Sequence, residues 1–342
     1  MNVVRGSLLL ASRTLRIGAI VGLLVGAVVP FAYAGPISGT LYFTTFSGGQ
    51  NVHSVPYSYD GSSSFTLGTV AYIASTPGAD GIVFTSDGKL AVGGQGNAVY
   101  KVDPTAVNSW SGVTAGGTAA FHMMVAPNGT IYSSGIPGTP ASYPSNLSAN
   151  GTAHTVHNAA GGVVVLDTII WPDPSNSLSA VYTSSGSGGN GSIGFLDLST
   201  FTATQVATNV SAAHGGAYDP YTDTVILFGD NHITQFDPLT LAPIVGGDYV
   251  APAGYVFDQG TVDGEGHVFA ASNNGNLLFL DISGSGLVGS PDFSAFPFLA
   301  GSLDDVAPLV GAGSRPLPEP ATLALLGLAL AGMGFARRRM MN

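Results

Sequence analysis

The chain contains no cysteine, and residues 35–314, here called the body, have almost no basic residues. Without cysteine, neither a disulfide framework nor a thiolate site is available. Of the 9 Lys+Arg residues of the 342-residue chain, only Lys89 and Lys101 lie between residues 35 and 314. Binding to nucleic acid requires clustered basic side chains, so this class of function is excluded.

Acidic residues are concentrated in the same body, and nearly all of them are aspartates. Residues 35–314 contain 19 acidic residues and 2 basic ones, which gives a formal net charge of −17. An anionic membrane surface would repel such a body, whereas soluble cations, neutral sugars and other proteins remain possible partners. Charged residues are only 8% of the chain, so Gly, Ser, Thr and Asn must supply most of its solubility.

The N-terminal segment has the pattern of a secretory signal peptide. Residues 1–34 contain three arginines, then an apolar run that closes on Ala32-Tyr33-Ala34. A basic region, an apolar region and small residues at positions −3 and −1 predict cleavage after Ala34. The alternative is an anchor helix that is not cleaved.

The C-terminal segment combines a proline motif, an apolar run and a basic cluster. The proline motif consists of Pro318, Glu319 and Pro320. The apolar run 321–336 has 16 uncharged residues and would reach about 24 Å as a helix, which predicts a short transmembrane segment. Three arginines follow it and would hold that end on the cytoplasmic side, namely Arg337, Arg338 and Arg339.

This C-terminal arrangement resembles the PEP-CTERM sorting signal. The resemblance covers about the last 25 residues of the chain, within the segment 315–342, and leaves residues 35–314 as the body. It implies a protein of a Gram-negative bacterium that the secretion machinery exports and an exosortase processes near the Pro-Glu-Pro motif. It also implies a transient stay in the inner membrane, delivery to the cell surface or beyond, and an association with exopolysaccharide or biofilm.

An internal repeat runs through the body. A polar residue opens an apolar run that closes on a turn, as in DGIVFTSDGKLAV and HMMVAPNGTIY. Successive copies are 42, 45, 47, 44 and 46 residues apart. The opening residues are Asp80, His122, Asp167, His214, Asp258 and Asp304.

A second marker, an apolar strand that ends in Asp, has the same period. Its copies end at Asp60, Asp103, Asp197, Asp237 and Asp281, and the missing copy is expected near SYPSNL at residues 142–147. Each unit reads as three strands joined by Gly-containing turns, with no helical pattern between them. A period of 40–50 residues built from short strands is typical of a β-propeller.

We therefore predict an all-β, six-bladed propeller. The segment GTLYFTTFSGGQNVHSVPYSYD lacks an innermost strand before it, and SLDDVAPLVG supplies one with nothing after it, so the two would complete one blade. Five or seven blades, or a β-solenoid, are the alternatives. HGGAYDP and ADGIVFTSDGKLAV also loosely resemble propellers of the NHL and streptogramin-lyase type, a likeness that transfers no catalytic residue.

The six opening residues would ring one mouth of the central channel. Carboxylates suit calcium, while His with Asp suits zinc or manganese, so the ring predicts a divalent-cation site. The alternative is that polar residues simply start wet innermost strands and bond neighbouring N–H groups. The register at His122 is uncertain by one residue, and such a shift would turn its side chain to the other face.

Two functions follow from these patterns. No convergent catalytic motif is present, which favours a non-catalytic binding or interaction module at the cell surface, with an extracellular polysaccharide or protein as partner. The alternative is a metal-dependent lyase or hydrolase that acts at the channel mouth. Whether the ring binds a metal with an open coordination position separates the two.

Overall fold

The computed structural model of the protein describes residues 36–46, 49–94, 96, 98–114, 120–135, 147–185 and 191–307. The predicted signal peptide 1–34, transmembrane segment 321–336 and sorting signal 315–342 lie outside these residues. All regular elements of the described part are β-strands. None of its segments forms a helix of the length and hydropathy needed to cross a membrane.

Twenty-six strands are present in these residues. The first thirteen are β1 (Ile37–Thr45), β2 (Val52–Tyr59), β3 (Phe65–Leu67), β4 (Ala71–Ala74), β5 (Ile82–Phe84), β6 (Leu90–Gly93), β7 (Ala98–Val102), β8 (Trp110–Thr114), β9 (His122–Val125), β10 (Ile131–Ser134), β11 (Leu147–Ala149), β12 (Thr152–His154) and β13 (His157–Asn158). The others are β14 (Ile169–Ile170), β15 (Ser179–Ser184), β16 (Gly191–Asp197), β17 (Thr202–Val210), β18 (Gly215–Asp219), β19 (Thr224–Gly229), β20 (His232–Phe236), β21 (Pro243–Val250), β22 (Phe257–Val262), β23 (His267–Ser272), β24 (Leu277–Asp281), β25 (Phe293–Ala295) and β26 (Leu303–Val306).

These strands form six sheets, which are the six blades of a β-propeller. From the innermost strand outwards, blade 1 is β26-β1-β2-β3 with β4 paired on β2, blade 2 is β5 to β8, blade 3 is β9 to β12, blade 4 is β14 to β17 with β13 at the outer edge, blade 5 is β18 to β21, and blade 6 is β22 to β25. The predicted six-bladed fold is confirmed, and the counts of five and seven and the solenoid are wrong.

Ring closure follows the predicted route. Strand β26 pairs antiparallel with β1, with Phe43 opposite Val306 and Thr45 opposite Leu303. Blade 1 thus takes its innermost strand from one end of the described chain and its other strands from the opposite end. Closing the ring in this way covers the inner edge of β1 and gives blade 1 the innermost strand that it would otherwise lack.

Each blade has at least four strands, whereas the sequence pattern predicted three, and blades 1 and 4 have a fifth. The extra strand is the outermost one, and in blades 1, 3 and 6 it is only three residues long. Three residues are too few to show an alternation of apolar and polar side chains. The outer strands were therefore missed, while the period that contains them was read correctly.

The second sequence marker holds the turn after the third strand of each blade. Asp60 accepts hydrogen bonds from the backbone N–H groups of Ser62, Ser63 and Ser64. The same carboxylate-to-backbone turn, with the acceptor two residues before the donor, occurs at Asp103, Asp197, Asp237 and Asp281. These aspartates are structural, since their oxygens satisfy local donors.

The position of the missing copy is taken by Asn150, which follows β11 and lies three residues beyond the segment 142–147 near which it was expected. Asn150 has a φ of 46°, and its side-chain oxygen accepts a hydrogen bond from the N–H of Ile131. Asn tolerates this left-handed conformation better than most residues do. Asn150 thus keeps the period of the marker, although its side chain bonds a different backbone group.

The apolar core lies between neighbouring blades. At the closure, Phe43 and Tyr59 of blade 1 are packed in one cluster with Phe269 and Phe279 of blade 6. Similar clusters join blades 3 and 4 and blades 5 and 6. Because each blade buries both faces against its neighbours, the ring is held by side-chain packing and one shared sheet.

Candidate functional site

The six opening residues of the repeat occupy equivalent places at the start of the innermost strands. Asp80 and Asp167 precede β5 and β14 by two residues, and His214 immediately precedes β18. His122 opens β9, and the second residues of β22 and β26 are Asp258 and Asp304. One cavity of about 420 Å³ is lined by five of the six, namely Asp80, His122, His214, Asp258 and Asp304.

The two histidines meet at the centre of this arrangement. Their ring centroids are 4.8 Å apart and the rings are nearly perpendicular. His214 Nε2 lies 2.6 Å from Asp258 Oδ1. One ligand atom from each of His122, His214 and Asp258 lies within 4.8 Å of the others; we call these three residues the histidine site.

Asp167, the sixth residue of the repeat, lies beside both histidines. Its carboxylate is buried, with Oδ1 3.9 Å from His122 Nε2 and Oδ2 3.9 Å from His214 Nδ1. The N–H of Ser185 donates a hydrogen bond to Oδ2 and fixes this carboxylate. These distances are too long for hydrogen bonds, so Asp167 acts on His214 through its charge, from the side opposite the Asp258 contact.

The electrostatics of the site keep one histidine neutral and the other charged. Burial, together with the charge of His214, lowers the pKa of His122. Burial also opposes the charge on His214, but the hydrogen bond to Asp258 and the charges of Asp258, Asp167 and Asp304 raise the pKa of His214 to about 9. Despite its own burial, Asp258 has a lowered pKa because it accepts this hydrogen bond and faces the His214 charge.

The carboxyl of Asp304 is a neutral acid near pH 7. Burial, the charges of Asp80 and Asp258, and hydrogen bonds with the same two carboxyls raise the pKa of Asp304 to about 10. Asp305 follows it in sequence, and its pKa is also raised, by burial and by the charges of Asp258, Asp304 and Asp80. Too many carboxyls converge here for all of them to be ionised without a cation.

Local sequence explains how the innermost strands approach so closely. The residue after Asp80 is Gly81 and the residue after His214 is Gly215. A Cβ on Gly215 would lie 2.6 Å from the carbonyl oxygen of Asp258, and one on Gly81 would lie 2.5 Å from a backbone nitrogen of the next innermost strand. Only glycine allows these contacts.

Hydroxyl groups of the second strands fasten the opening residues to the neighbouring blade. Thr44 Oγ1 donates to the carbonyl oxygen of Asp80 at 2.5 Å. Thr183 Oγ1 donates to that of His214 at 2.7 Å, and Ser134 makes the same contact with Asp167. Each of these bonds joins one blade to the next at the level of the cavity.

We expect Gly215→Ala to lower the free energy of unfolding by about 1–3 kcal/mol, because the added methyl group forces the innermost strands of blades 5 and 6 apart. Denaturant unfolding monitored by circular dichroism measures this change. The matched control is Gly301→Ala, where a Cβ would have no atom within 4 Å. Equal stabilities of the two variants would contradict the close approach at Gly215.

Sequence reasoning did not identify Asn273 or Asp305. Asn273 lines the cavity together with Phe46 and Phe121, and its side chain hydrogen bonds to Asp258. A second cavity of about 210 Å³ shares His214 and Asn273 with the first. Asn273 lies in a turn outside the repeated markers, so the period gave no signal for it. Asp305 directly follows a marker residue and was taken as part of the strand.

Comparison with known proteins identifies the sorting signal. Residues 316–339 match the PEP-CTERM protein-sorting motif. This match implies recognition and processing by an exosortase, so the chain is an exported protein with a β-propeller fold. It includes the predicted Pro318, Glu319, Pro320 and the arginines at 337–339.

No curated protein sequence matches the chain. Among solved structures, it is similar to the calcium-binding protein regucalcin from Agrobacterium tumefaciens, with 13% identity and a TM-score of 0.44 over 67% of this chain and 77% of that one. It is also similar to a catalytically inactive virginiamycin B lyase from Staphylococcus aureus bound to quinupristin, with 10% identity and a TM-score of 0.45 over 76% of this chain and 88% of that one.

Proposed function

We propose that this exported propeller is a cation-dependent binding module, in which the histidine site holds a divalent metal ion at the mouth of the central channel. The observation that carries the proposal is the convergence of His122, His214 and Asp258 within 4.8 Å of one another. Three blades that are far apart in sequence contribute one ligand each. Export from a Gram-negative cell through the inner membrane to the cell surface belongs to the same proposal.

The donor set favours a transition-type ion. Two imidazoles and a carboxylate suit zinc or manganese better than calcium, which prefers oxygen ligands throughout. The buried Nδ1 of His122 and Oδ1 of Asp167 have no hydrogen-bond partner among the residues that the structure describes. Buried nitrogen and oxygen atoms without a hydrogen-bond partner fit a site in which a metal ion is the missing partner.

The surroundings would supply what such an ion needs. The Asp167 carboxylate lies 3.9 Å from a nitrogen of each ring, and Asn273 hydrogen bonds to Asp258. The cavity remains open to solvent past Phe46, which is 62% exposed. An extracellular polysaccharide or protein that offers an oxygen donor would have room to approach the ion from this side.

A thermal melt of the full-length chain tests the proposal. We expect zinc or manganese, added after treatment with EDTA, to stabilise the fold by about 2.7 kcal/mol at a concentration 100 times the Kd, because the ion binds only the native state. Calcium should bind the histidine site more weakly than zinc or manganese does. The double variant His122→Ala/His214→Ala should lose the response to zinc and manganese while it still folds.

The His53→Ala/His157→Ala double variant is the matched control, because it removes two partly buried histidines that lie away from the cavity. It should respond to metal as the wild type does. A wild-type midpoint that does not move with zinc or manganese, or an equal response in the His122→Ala/His214→Ala variant, would refute metal binding at the histidine site.

A metal-dependent lyase or hydrolase is the second candidate, and the raised pKa of Asp304 favours it. In the same cavity, Asp304 is a neutral acid while Asp258 is ionised, and carboxyls separated in this way can share acid and base roles. Turnover of small esters or uronate-containing glycans by the wild type, lost in Asp304→Asn with an unchanged metal content, would support an enzyme. The absence of turnover with these substrates would favour the binding module.

A further inference from the structure

The residues that directly follow the six opening residues form a second layer, one step deeper along the innermost strands. They are Gly81, Met123, Thr168, Gly215, Gln259 and Asp305. Three of them, Thr168, Gln259 and Asp305, end in oxygen atoms and are buried. In the described part of the chain, Thr168 Oγ1, Gln259 Oε1 and both carboxylate oxygens of Asp305 have no hydrogen-bond partner.

Asp305 is the sharpest case. Its side chain is fully buried. The backbone N–H of Asp305 donates a hydrogen bond to Thr44 Oγ1 at 3.2 Å. Buried carboxylates are normally paired or bound to a metal, because removal from water without a partner is costly. Two unsatisfied oxygens on one buried carboxylate therefore point to a ligand.

Gln259 supplies an independent observation. Its amide oxygen is buried and has no hydrogen-bond partner in the described part of the chain. Because the amide is neutral, repulsion between acids does not account for this missing partner. Second-layer residues of neighbouring blades touch, since a Cβ on Gly215 would lie 2.7 Å from the Cα of Gln259. One blade further on, β22 packs beside β26, which makes Gln259 the ring neighbour of Asp305.

Charge favours a cation at Asp305. The charges of Asp258, Asp304 and Asp80 act on Asp305, whereas Lys89 and Lys101 are engaged elsewhere with Asp103 and Asp87. Apart from the two histidines, none of the twelve residues in these two layers is basic, so a cation would offset the charge of an ionised Asp305.

We propose that Asp305 and Gln259 hold a second divalent cation, a hard ion such as calcium, one layer deeper in the channel than the histidine site. Carboxylate and amide oxygens are the ligands that calcium prefers, and no nitrogen donor is present in this layer. The deeper site depends on different residues and a different ion class from the histidine site, so the two can fail separately.

Equilibrium dialysis of the full-length chain against calcium and against zinc tests the deeper site. The wild type should bind one calcium and one zinc ion. Asp305→Asn should lower the calcium affinity at least tenfold and leave zinc binding unchanged. His122→Ala/His214→Ala should do the opposite. Calcium binding that survives in Asp305→Asn, or is absent from the wild type, would overturn the proposal.

Gln259→Met keeps the inference testable if Asp305→Asn fails to fold. It removes the amide oxygen with little change in volume or charge, and it should weaken calcium binding without affecting zinc. Wild-type calcium affinity in Gln259→Met would also count against the deeper site. A chain that binds calcium but no zinc would retain this inference and refute the histidine site alone.

Discussion

Replacement of Phe279 by alanine is expected to lower the free energy of unfolding by about 3–5 kcal/mol. Phe279 is fully buried in blade 6, and its ring centroid lies 4.2 Å from that of Phe65 and 4.9 Å from that of Tyr59, both of blade 1. Within its own blade it contacts Phe269 at 5.3 Å. Truncation would leave a cavity at the closure, where the first and last blades must adhere.

Denaturant unfolding at pH 6 measures this loss. The matched control is Phe298→Ala, because Phe298 is 66% exposed and its truncation should change the free energy of unfolding by no more than about 0.5 kcal/mol. A loss below about 1 kcal/mol for Phe279→Ala would mean that the closure does not depend on the aromatic cluster.

The free energy of unfolding of the metal-free protein should decrease as the pH rises from 5 to 8. The folded-state pKa of Asp304 is about 10, far above the ordinary value of an aspartate. The folded chain therefore keeps a proton that the unfolded chain releases, and stability is lost as the pH rises above the unfolded-state pKa. One such group contributes at most about 1.4 kcal/mol per pH unit.

His214 acts in the same direction at the upper end of this range. Its raised pKa of about 9 contributes stability that is fully present below its ordinary pKa and is lost as the pH rises through 9. Asp258, whose pKa is lowered, contributes stability that is present throughout pH 5–8. The net expectation is a loss of stability with rising pH, with up to about 4 kcal/mol from Asp304 alone between pH 5 and pH 8.

Asp304→Asn identifies the source of the slope. In EDTA, the variant should match the wild type near pH 5, where Asp304 is neutral in the fold, and should exceed it at pH 8. Asp305 retains part of the slope in this variant. Glu265→Gln is the control, because it removes an exposed acidic charge and should leave the slope as it is. A wild-type stability that rises with pH would contradict the buried acid.

The periodic part of this fold is readable from the sequence because propeller blades repeat both a strand start and a turn. Asp80 and His214 were aligned from spacing alone, and the structure places them in one cavity. The uncertain register at His122 is resolved by its contact with His214. The marker at Asn150 is harder to see, since an asparagine stands there and its side chain accepts from a different backbone group, the N–H of Ile131.

Features that depend on packing between distant segments of the chain could not be predicted from the sequence. Asn273 reaches Asp258 from a turn with no repeated pattern, and Asp305 differs from a strand residue only in what surrounds its carboxylate. Outer strands of three residues carry too little alternation to be distinguished from loops. Contacts between segments that are distant in sequence determine these features, and no local sequence pattern reveals such contacts.

The pairing of β26 with β1 has a consequence for the timing of folding and processing. The hydrogen bond between Asp305 and Thr44 spans 261 positions, so the ring cannot close until nearly the whole body has emerged, and such long-range pairing is intrinsically slow. A chain that is still open can thread through a translocation pore. Proteolysis at residue 318 would then spare the closing strand, whereas proteolysis upstream of residue 303 would release an open and aggregation-prone arc.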